Sequence, residues 1–561
     1  MTLLTGILVV FLYAVPSYAD DSVAEMQREL RALKAELESL RSEMKADKET
    51  IKAHDEELLA SKQEFSQLSD EVRTWKEQPA AAETLKDQIK KELGIVPNVY
   101  NEMANKIRLG FEMRTRAEYE DNWHALVHHL PEADGVGATT VGRGRGRSED
   151  STYVLNRVRF NIDADVHEHL RTFVQFQDAR FWGWEGKTNH GYIAELVGFG
   201  TPSANNRIDL HQAYVDIKKL FNPNLVFRVG RQEIIWGTPG PGDPGHRMLG
   251  DFGWSNIGVT HDAIRAMWNT QKYDAEAFAT VVRKFEGATG TADREDADHQ
   301  LYGTKFTFKK LIPKGTLELM YLMDNDQNEA IANPANSELL LDGEMEVHDV
   351  GFRVVGKVGD PIDYFTEYHY QTGDFRGRAH EAMAGVIGGG YQFTKVGWKP
   401  RAGYEFDWSP GDPRPRPAAD PSGNKHRTFH NFYPTNHAHY GYADLMSWKN
   451  MQAHRFQVKV WPTKKLVAWV DFWKFNLDQG KDAWYHAGQG QIGRGQNTGN
   501  VERTTNLGSE IDLTATYSLY KNVGIMTGYS RFLGGAAARR SDGSRSDGDT
   551  NWGFVQLTVS F

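Results

Sequence analysis

The chain has 561 residues, no cysteine and a formal net charge of −10. The length fits one large barrel plus an appendage, the missing cysteine excludes disulfides, thiolate metal sites and cysteine catalysis, and the acidic balance argues against wholesale nucleic-acid binding. Beyond Ala19 no apolar run reaches about 18 residues, which excludes a helical membrane bundle but not a barrel, whose strands are apolar on one face only.

Residues 1–19 read as a signal peptide. Leu3 to Val15 is apolar, and Ser17-Tyr18-Ala19 supplies a small-x-small cleavage site. Residues 20–78 read as an α-helical coiled coil. Val23, Leu30, Leu37, Met44, Ile51, Leu58, Phe65 and Val72 recur at heptad spacing and are all apolar. The spacing predicts self-association, or a periplasmic partner, through residues 22–76; the alternative is one amphipathic helix lying on the protein. Residues 79–105, with Pro79 and Pro97, read as a linker.

From Lys106 the period changes from helical to two. Ile107, Leu109, Phe111 and Met113 alternate with Arg108, Glu112, Arg114 and Arg116. Ile511, Leu513 and Ala515 alternate with Glu510, Asp512 and Thr514. Charges on one face of so many strands need water there, and an aqueous lumen inside lipid supplies both environments. Aromatic residues make up 12% of the chain and suit interfacial girdles. Short connections, such as Lys218–Pro223 and Tyr520–Asn522, alternate with long ones, such as Glu233–His261 and Trp408–Met451. The alternation predicts an all-β transmembrane barrel over residues 106–561. It has about 18 antiparallel strands, with the long connections outside the cell. Strands near His380–Phe393 and Lys465–Leu477 alternate poorly. The last strand ends on Phe561, the usual finish of a chain handed to the barrel assembly machinery. The expected setting is the outer membrane, among its lipid and lipopolysaccharide, with the coiled coil in the periplasm.

Alternation places Arg108, Arg114, Arg116, Arg157, Arg159, Arg228, Arg265, Arg353 and Arg401 in the lumen, with Glu510 and Asp512 among the acids opposite them. Arg231 joins the candidate solute path although it is out of phase with Arg228. Basic and acidic residues nearly balance. They are either cross-strand ion pairs that brace the wall or, where arginines cluster on the first two strands, a local path for anions. Other chemistry is weak. His124, His128 and His129 share a loop, Gly142 to Arg147 is a cationic loop segment, and Asp324-Asn325-Asp326 starts like a calcium loop but has Glu329 where glycine is needed. No metal, cofactor or catalytic constellation is expected.

Several segments together resemble the alginate export family of outer-membrane barrels. They are Arg228 to Glu233, Leu249 to Asn256 and Asp262 to Arg265; Phe432 to His437 with Tyr440 to Leu445; and Gly508 to Leu513 with Gly528 to Phe532. The resemblance covers roughly Lys106 to Phe561. It implies an 18-stranded monomeric barrel whose lumen arginines guide anionic sugars. Pro239 to Gly245 adds a Pro/Gly-rich piece within the first group, and the coiled coil is additional to the family pattern. The function expected is passive passage of charged or carbohydrate solutes, extending to anionic polysaccharide export. The alternative is a structural anchor whose coiled coil ties the membrane to the cell wall.

Overall fold

The computed structural model describes residues 106–121, 150–182, 208–283, 299–327, 344–415, 425–492, 504–541 and 549–561. The signal peptide, coiled coil and linker expected over residues 1–105 lie outside these residues, as do His124, His128, His129 and the Gly142–Arg147 segment.

The strands in chain order are β1 (Ile107–Asp121), β2 (Asp150–His167), β3 (Leu170–Phe181), β4 (Asp209–Lys218), β5 (Leu225–Gln232), β6 (His261–Asn269), β7 (Tyr273–Arg283), β8 (His299–Phe308), β9 (Thr316–Asp326), β10 (Met345–Val358), β11 (Ile362–Phe375), β12 (Ala379–Gln392), β13 (Arg401–Ser409), β14 (Met451–Val460) and β15 (Leu466–Asn476). After a short hairpin of β16 (Trp484–Tyr485) and β17 (Gln491–Ile492), the chain finishes with β18 (Asn506–Tyr520), β19 (Val523–Gly534) and β20 (Thr550–Ser560). Apart from the hairpin, these form one sheet of 18 strands. Each pairs antiparallel with its chain neighbours, and β1 pairs with both β2 and β20. The sheet is therefore a closed barrel without an edge, as a lipid setting demands. Phe561 completes the seam. Its N–H donates to the Phe111 carbonyl at 3.0 Å, the Phe111 N–H donates to the Phe561 carbonyl at 3.1 Å, and the two rings stack at 5.4 Å.

Side-chain burial is inverted relative to a water-soluble sheet. On β1, Arg114, Arg116, Glu118 and Glu120 are buried inside, whereas Leu109 is 59% exposed on the outer face. Ile264, Val350, Ile387, Leu513 and Val555 are likewise exposed. Apolar outside and charged inside is the pattern of a barrel in lipid.

The poorly alternating strands have a physical explanation. Ala382, Ala384 and Val386 of β12 and Trp473 and Phe475 of β15 point inward and belong to one buried apolar cluster. Residues 233–260, between β5 and β6, and residues 425–450, between β13 and β14, also contribute to that cluster. Both stretches were expected outside the cell; their described residues instead turn into the barrel. They carry Trp236, Leu249, Phe252, Phe429, Phe432, Tyr433 and Trp448, all buried, and such side chains gain by leaving water. The two stretches bond to each other. Gly250 N–H donates to the Tyr433 carbonyl at 2.7 Å, and Tyr433 N–H to the Met248 carbonyl at 2.9 Å. A Cβ at Gly250 would lie 2.1 Å from Thr435 Oγ1, so only glycine allows this approach.

Leu513, central on β18 and 51% exposed, tests the lipid-facing assignment. Leu513→Arg is expected to lower unfolding stability in vesicles by about 2–4 kcal/mol, read from urea titration. No change would mean that this face does not meet hydrocarbon.

Candidate functional site in the barrel lumen

The inward chain between β5 and β6 crosses the lumen. Irregular backbone has no ladder partners, so each buried carbonyl must find a donor elsewhere, and a guanidinium offers five N–H groups in a rigid fork. On the β1–β2 wall, Arg114 donates to the carbonyls of Gly253 (2.7 Å), Trp254 (3.1 Å) and Ser255 (2.6 Å). Arg116 donates to the Trp254 carbonyl at 2.9 Å, and its guanidinium lies 3.8 Å from the Trp254 ring centre. Arg157 holds Glu112 at 2.7 Å and reaches the Ser255 carbonyl at 3.3 Å. Arg159 bonds Gln177 at 2.7 Å and His211 at 2.8 Å.

The opposite wall repeats the arrangement. Arg353 of β10 donates to the Thr238 carbonyl at 2.9 Å, to Glu367 at 2.7 Å and to Asp243. Arg401 donates to Asp363 at 2.6 Å and to the Pro241 carbonyl at 3.1 Å. Arg455 bonds Asp471 at 2.7 Å and the Gly242 carbonyl at 3.0 Å. Within the inward chain itself, Arg247 binds Asp243 at 2.5 Å and also Glu405 of β13. Strands β1 and β10 stand on opposite sides of the ring, so residues 238–255 bridge the lumen between two sets of arginines.

The segments that carried the family resemblance converge here. Trp254 stacks on His437 at 4.1 Å and meets Trp552 and Phe554 edge-on at 5.7 and 4.9 Å. Glu510 accepts from the Ala443 N–H at 2.9 Å and from Ser530 at 2.8 Å. Gly441, at φ +83°, leaves room for that carboxylate: a Cβ there would lie 2.5 Å from Glu510 Oε1. Glu510 and Asp512 are both buried, and Glu510 anchors the second inward stretch to the β18 wall.

Towards the short-turn end the lumen arginines alternate with acids. Arg108 bonds Asp163 at 3.0 Å and Asp165 at 2.8 Å. Arg171 links Asp163 (2.7 Å) to Asp216 (2.9 Å), which also holds Arg228 at 2.7 Å. Arg265 faces Glu276 at 2.8 Å. The expected cluster on the first two strands is present, with Arg114 and Arg157 directly opposite in register. Such like-charge neighbours repel, and the carbonyls of residues 253–255 offset the repulsion. Arg231 is a correction. It shares the outer face with Val229 and pairs with Asp262 at 2.8 Å, the two side chains being 40% and 57% exposed. It lies three positions beyond Arg228, and an odd step on a strand crosses to the other face.

The sequence reading missed Asp243 and Arg247. The signal was two opposite charges inside the Pro/Gly-rich stretch 237–245 and just beyond it. It also missed His369, buried between Asp349 at 2.7 Å and Glu367 at 3.1 Å. Asp324, read as the start of a loop, lies in a strand. It lies near the end of β9 and accepts from His299 (2.5 Å) and His430 (2.9 Å). Among the described residues no group of three or more His, Asp or Glu is placed to hold a metal.

Burial would raise the Asp243 carboxyl, but the Arg247 and Arg353 guanidiniums outweigh it and hold this group below the usual carboxylate range. Burial lowers His439, helped by Arg247, and lowers His426, helped by His380. Both imidazoles are thus neutral near pH 7. In an unfolded chain they titrate near 6.5, so the fold resists their protonation. This contribution to stability is complete above that pH and declines as pH falls below it. The thermal unfolding midpoint is therefore expected to drop between pH 7.5 and 5; a midpoint that rises on acidification contradicts the assignment. Arg353→Ala, which leaves buried Asp243 with Arg247 and buried Glu367 with His369 but without their shared guanidinium, is expected to cost about 3–5 kcal/mol, seen as earlier loss of the folded band on unboiled gels.

The family model for alginate export matches residues 138–550. No curated protein matches the chain. Among solved structures of similar fold, OccK11 (OpdR) of Pseudomonas aeruginosa is 10% identical, with a TM-score of 0.46, covering 81% of this chain and 96% of its own. OccAB2 of Acinetobacter baumannii is 11% identical, with a TM-score of 0.47 and coverage of 81% and 98%. The outer membrane protein OprD of Pseudomonas aeruginosa is 8% identical, with a TM-score of 0.46 and coverage of 81% and 94%.

Proposed function

The chain belongs to the alginate export family, and on that premise we propose that this outer-membrane channel passes charged or carbohydrate solutes, anionic polysaccharide among them, through a lumen narrowed by its two inward stretches. One observation carries the reading. Residues 238–255 run from the Arg114 and Arg116 guanidiniums on β1 to Arg353 on β10, so solute passing this level meets the inward chain. Arg114, Arg116, Arg157, Arg353 and Arg401 act here as anchors that set the width of the path. Arg108, Arg228 and Arg265, held beside carboxylates nearer the short-turn end, are the arginines a solute meets on the wall.

A wall of alternating charges suits a hydrated solute bearing many hydroxyls and some charge. Each guanidinium keeps donors beyond those its carboxylate uses, and the nearby acids prevent an anion from binding too tightly to leave. Selectivity then depends on local imbalance along the path rather than on net lumen charge.

The deciding measurement is single-channel conductance in planar bilayers across a panel of small ions and charged sugars. Removing residues 237–247 is expected to raise ion conductance, with the barrel still folded. Unchanged conductance would mean that this stretch does not limit the path. Asp163→Asn, Asp165→Asn and Asp216→Asn together leave Arg108, Arg171 and Arg228 without their acids. Anion-over-cation permeability is expected to rise in reversal-potential measurements. An unmoved reversal potential would leave these residues as wall braces only.

A further inference from the structure

Three consecutive turns at the short-connection end form a cationic, apolar patch that the channel function does not use. They are residues 393–400 between β12 and β13, residues 461–465 between β14 and β15, and residues 521–522 between β18 and β19. They carry Lys395, Lys399, Lys464, Lys465 and Lys521, all exposed, and no acidic residue. Neighbouring strands lie about 4.8 Å apart, so consecutive turns sit roughly 10 Å from one another, close to the Debye length at ordinary salt. The five charges therefore act on one anionic surface together.

The same turns expose apolar side chains beside the lysines. Val396 is 52% exposed, Trp398 64% and Tyr520, next to Lys521, 68%. These positions are fixed by the backbone. Trp461 N–H donates to the Trp398 carbonyl at 2.8 Å, and Phe393 N–H to the Pro400 carbonyl at 2.8 Å. Trp398 and Lys399 both lie in the left-handed region, at φ 62° and 44°. That conformation is strained for residues with a Cβ, and here it directs successive side chains outward from the turn.

A soluble polyanion would use the lysines but leave Val396, Trp398 and Tyr520 in water. A phospholipid leaflet satisfies both. Phosphates meet the ammonium groups, while aromatic and aliphatic side chains enter the boundary between headgroups and acyl chains. Short turns of outer-membrane barrels face the periplasm, so the leaflet within reach is the glycerophospholipid one. We propose that the turns 393–400, 461–465 and 521–522 form a binding site for an anionic glycerophospholipid of the periplasmic leaflet, with phosphatidylglycerol as the probe.

The test uses the full chain, reconstituted with phosphatidylethanolamine and phosphatidylglycerol at 3:1 and then stripped stepwise with detergent. Retained lipid is counted by native mass spectrometry. Wild-type protein is expected to keep phosphatidylglycerol in excess over its share of the mixture. Lys395→Gln, Lys399→Gln, Lys464→Gln and Lys465→Gln combined should return the ratio to that of the mixture, since each lysine near an anionic surface is worth about a fivefold change in partitioning. Heat-modifiable gel mobility and unchanged conductance would show that the variant is still a folded channel. Trp398→Ala is expected to shorten retention of both lipids without changing their ratio. Equal retention of the two lipids by wild type, or an unchanged excess in the lysine variant, overturns the site. So does dextran sulfate binding that depends on these lysines when no lipid excess is seen, because the patch then serves a soluble polymer.

Discussion

Irregular backbone placed inside a barrel must have its carbonyls satisfied by something other than a strand, and this constraint orders the lumen. The chain between β5 and β6 has no ladder across the lumen. Its carbonyls at Thr238, Pro241, Gly242, Gly253, Trp254 and Ser255 are met by Arg353, Arg401, Arg455, Arg114 and Arg116. Each arginine extends from a rigid strand, so the wall fixes where the inward chain runs. Lysine would not substitute well. Its ammonium is a point charge, whereas the fork of Arg114 reaches three successive carbonyls at once.

The acids complete this arrangement. A buried guanidinium that met only carbonyls would leave its charge uncompensated. Asp243 and Glu367 flank Arg353, Asp363 flanks Arg401, and Asp471 flanks Arg455. The near balance of lumen charge thus has a local cause on this wall, where these three anchors each carry a counterion, whereas Arg114 meets the carbonyls of residues 253–255. Ion pairs of this kind add little net stability, but removing one partner is costly. Their effect is to specify one course for the inward chain among the many that apolar packing alone would tolerate.

Aromatic contacts join the two inward stretches into one body. Trp254 lies between Arg116 and His437 and abuts Phe554 of the last strand. The closing seam of the barrel and the lumen segments therefore share a contact point. Residues distant in sequence are brought together there because closure of the sheet sets β20 beside β1.

Sequence alone determined the barrel. Period-two alternation with charges on one face admits a single arrangement in lipid, and the alternation of short and long connections set the strand number at 18. It also placed Arg114, Arg157, Arg353, Glu510 and Asp512 inside, since inside and outside follow from parity. Arg231, expected on the solute path although out of phase with Arg228, lies on the outer face, where its pairing with Asp262 holds it. What sequence left open was the partner of each lumen charge. Arg114 and Arg157 are cross-strand neighbours, a relation that pattern supplies. That they bind the carbonyls of residues 253–255 depends on chain about a hundred residues or more away folding inward, and no local period records that. Residues 233–260 and 425–450 are long connections, which connection length assigns to the outside, and the surface that covers their aromatic residues has no local signal. Only the tertiary structure decided this, because hydrophobic burial has no direction, whereas the strand-borne arginines do.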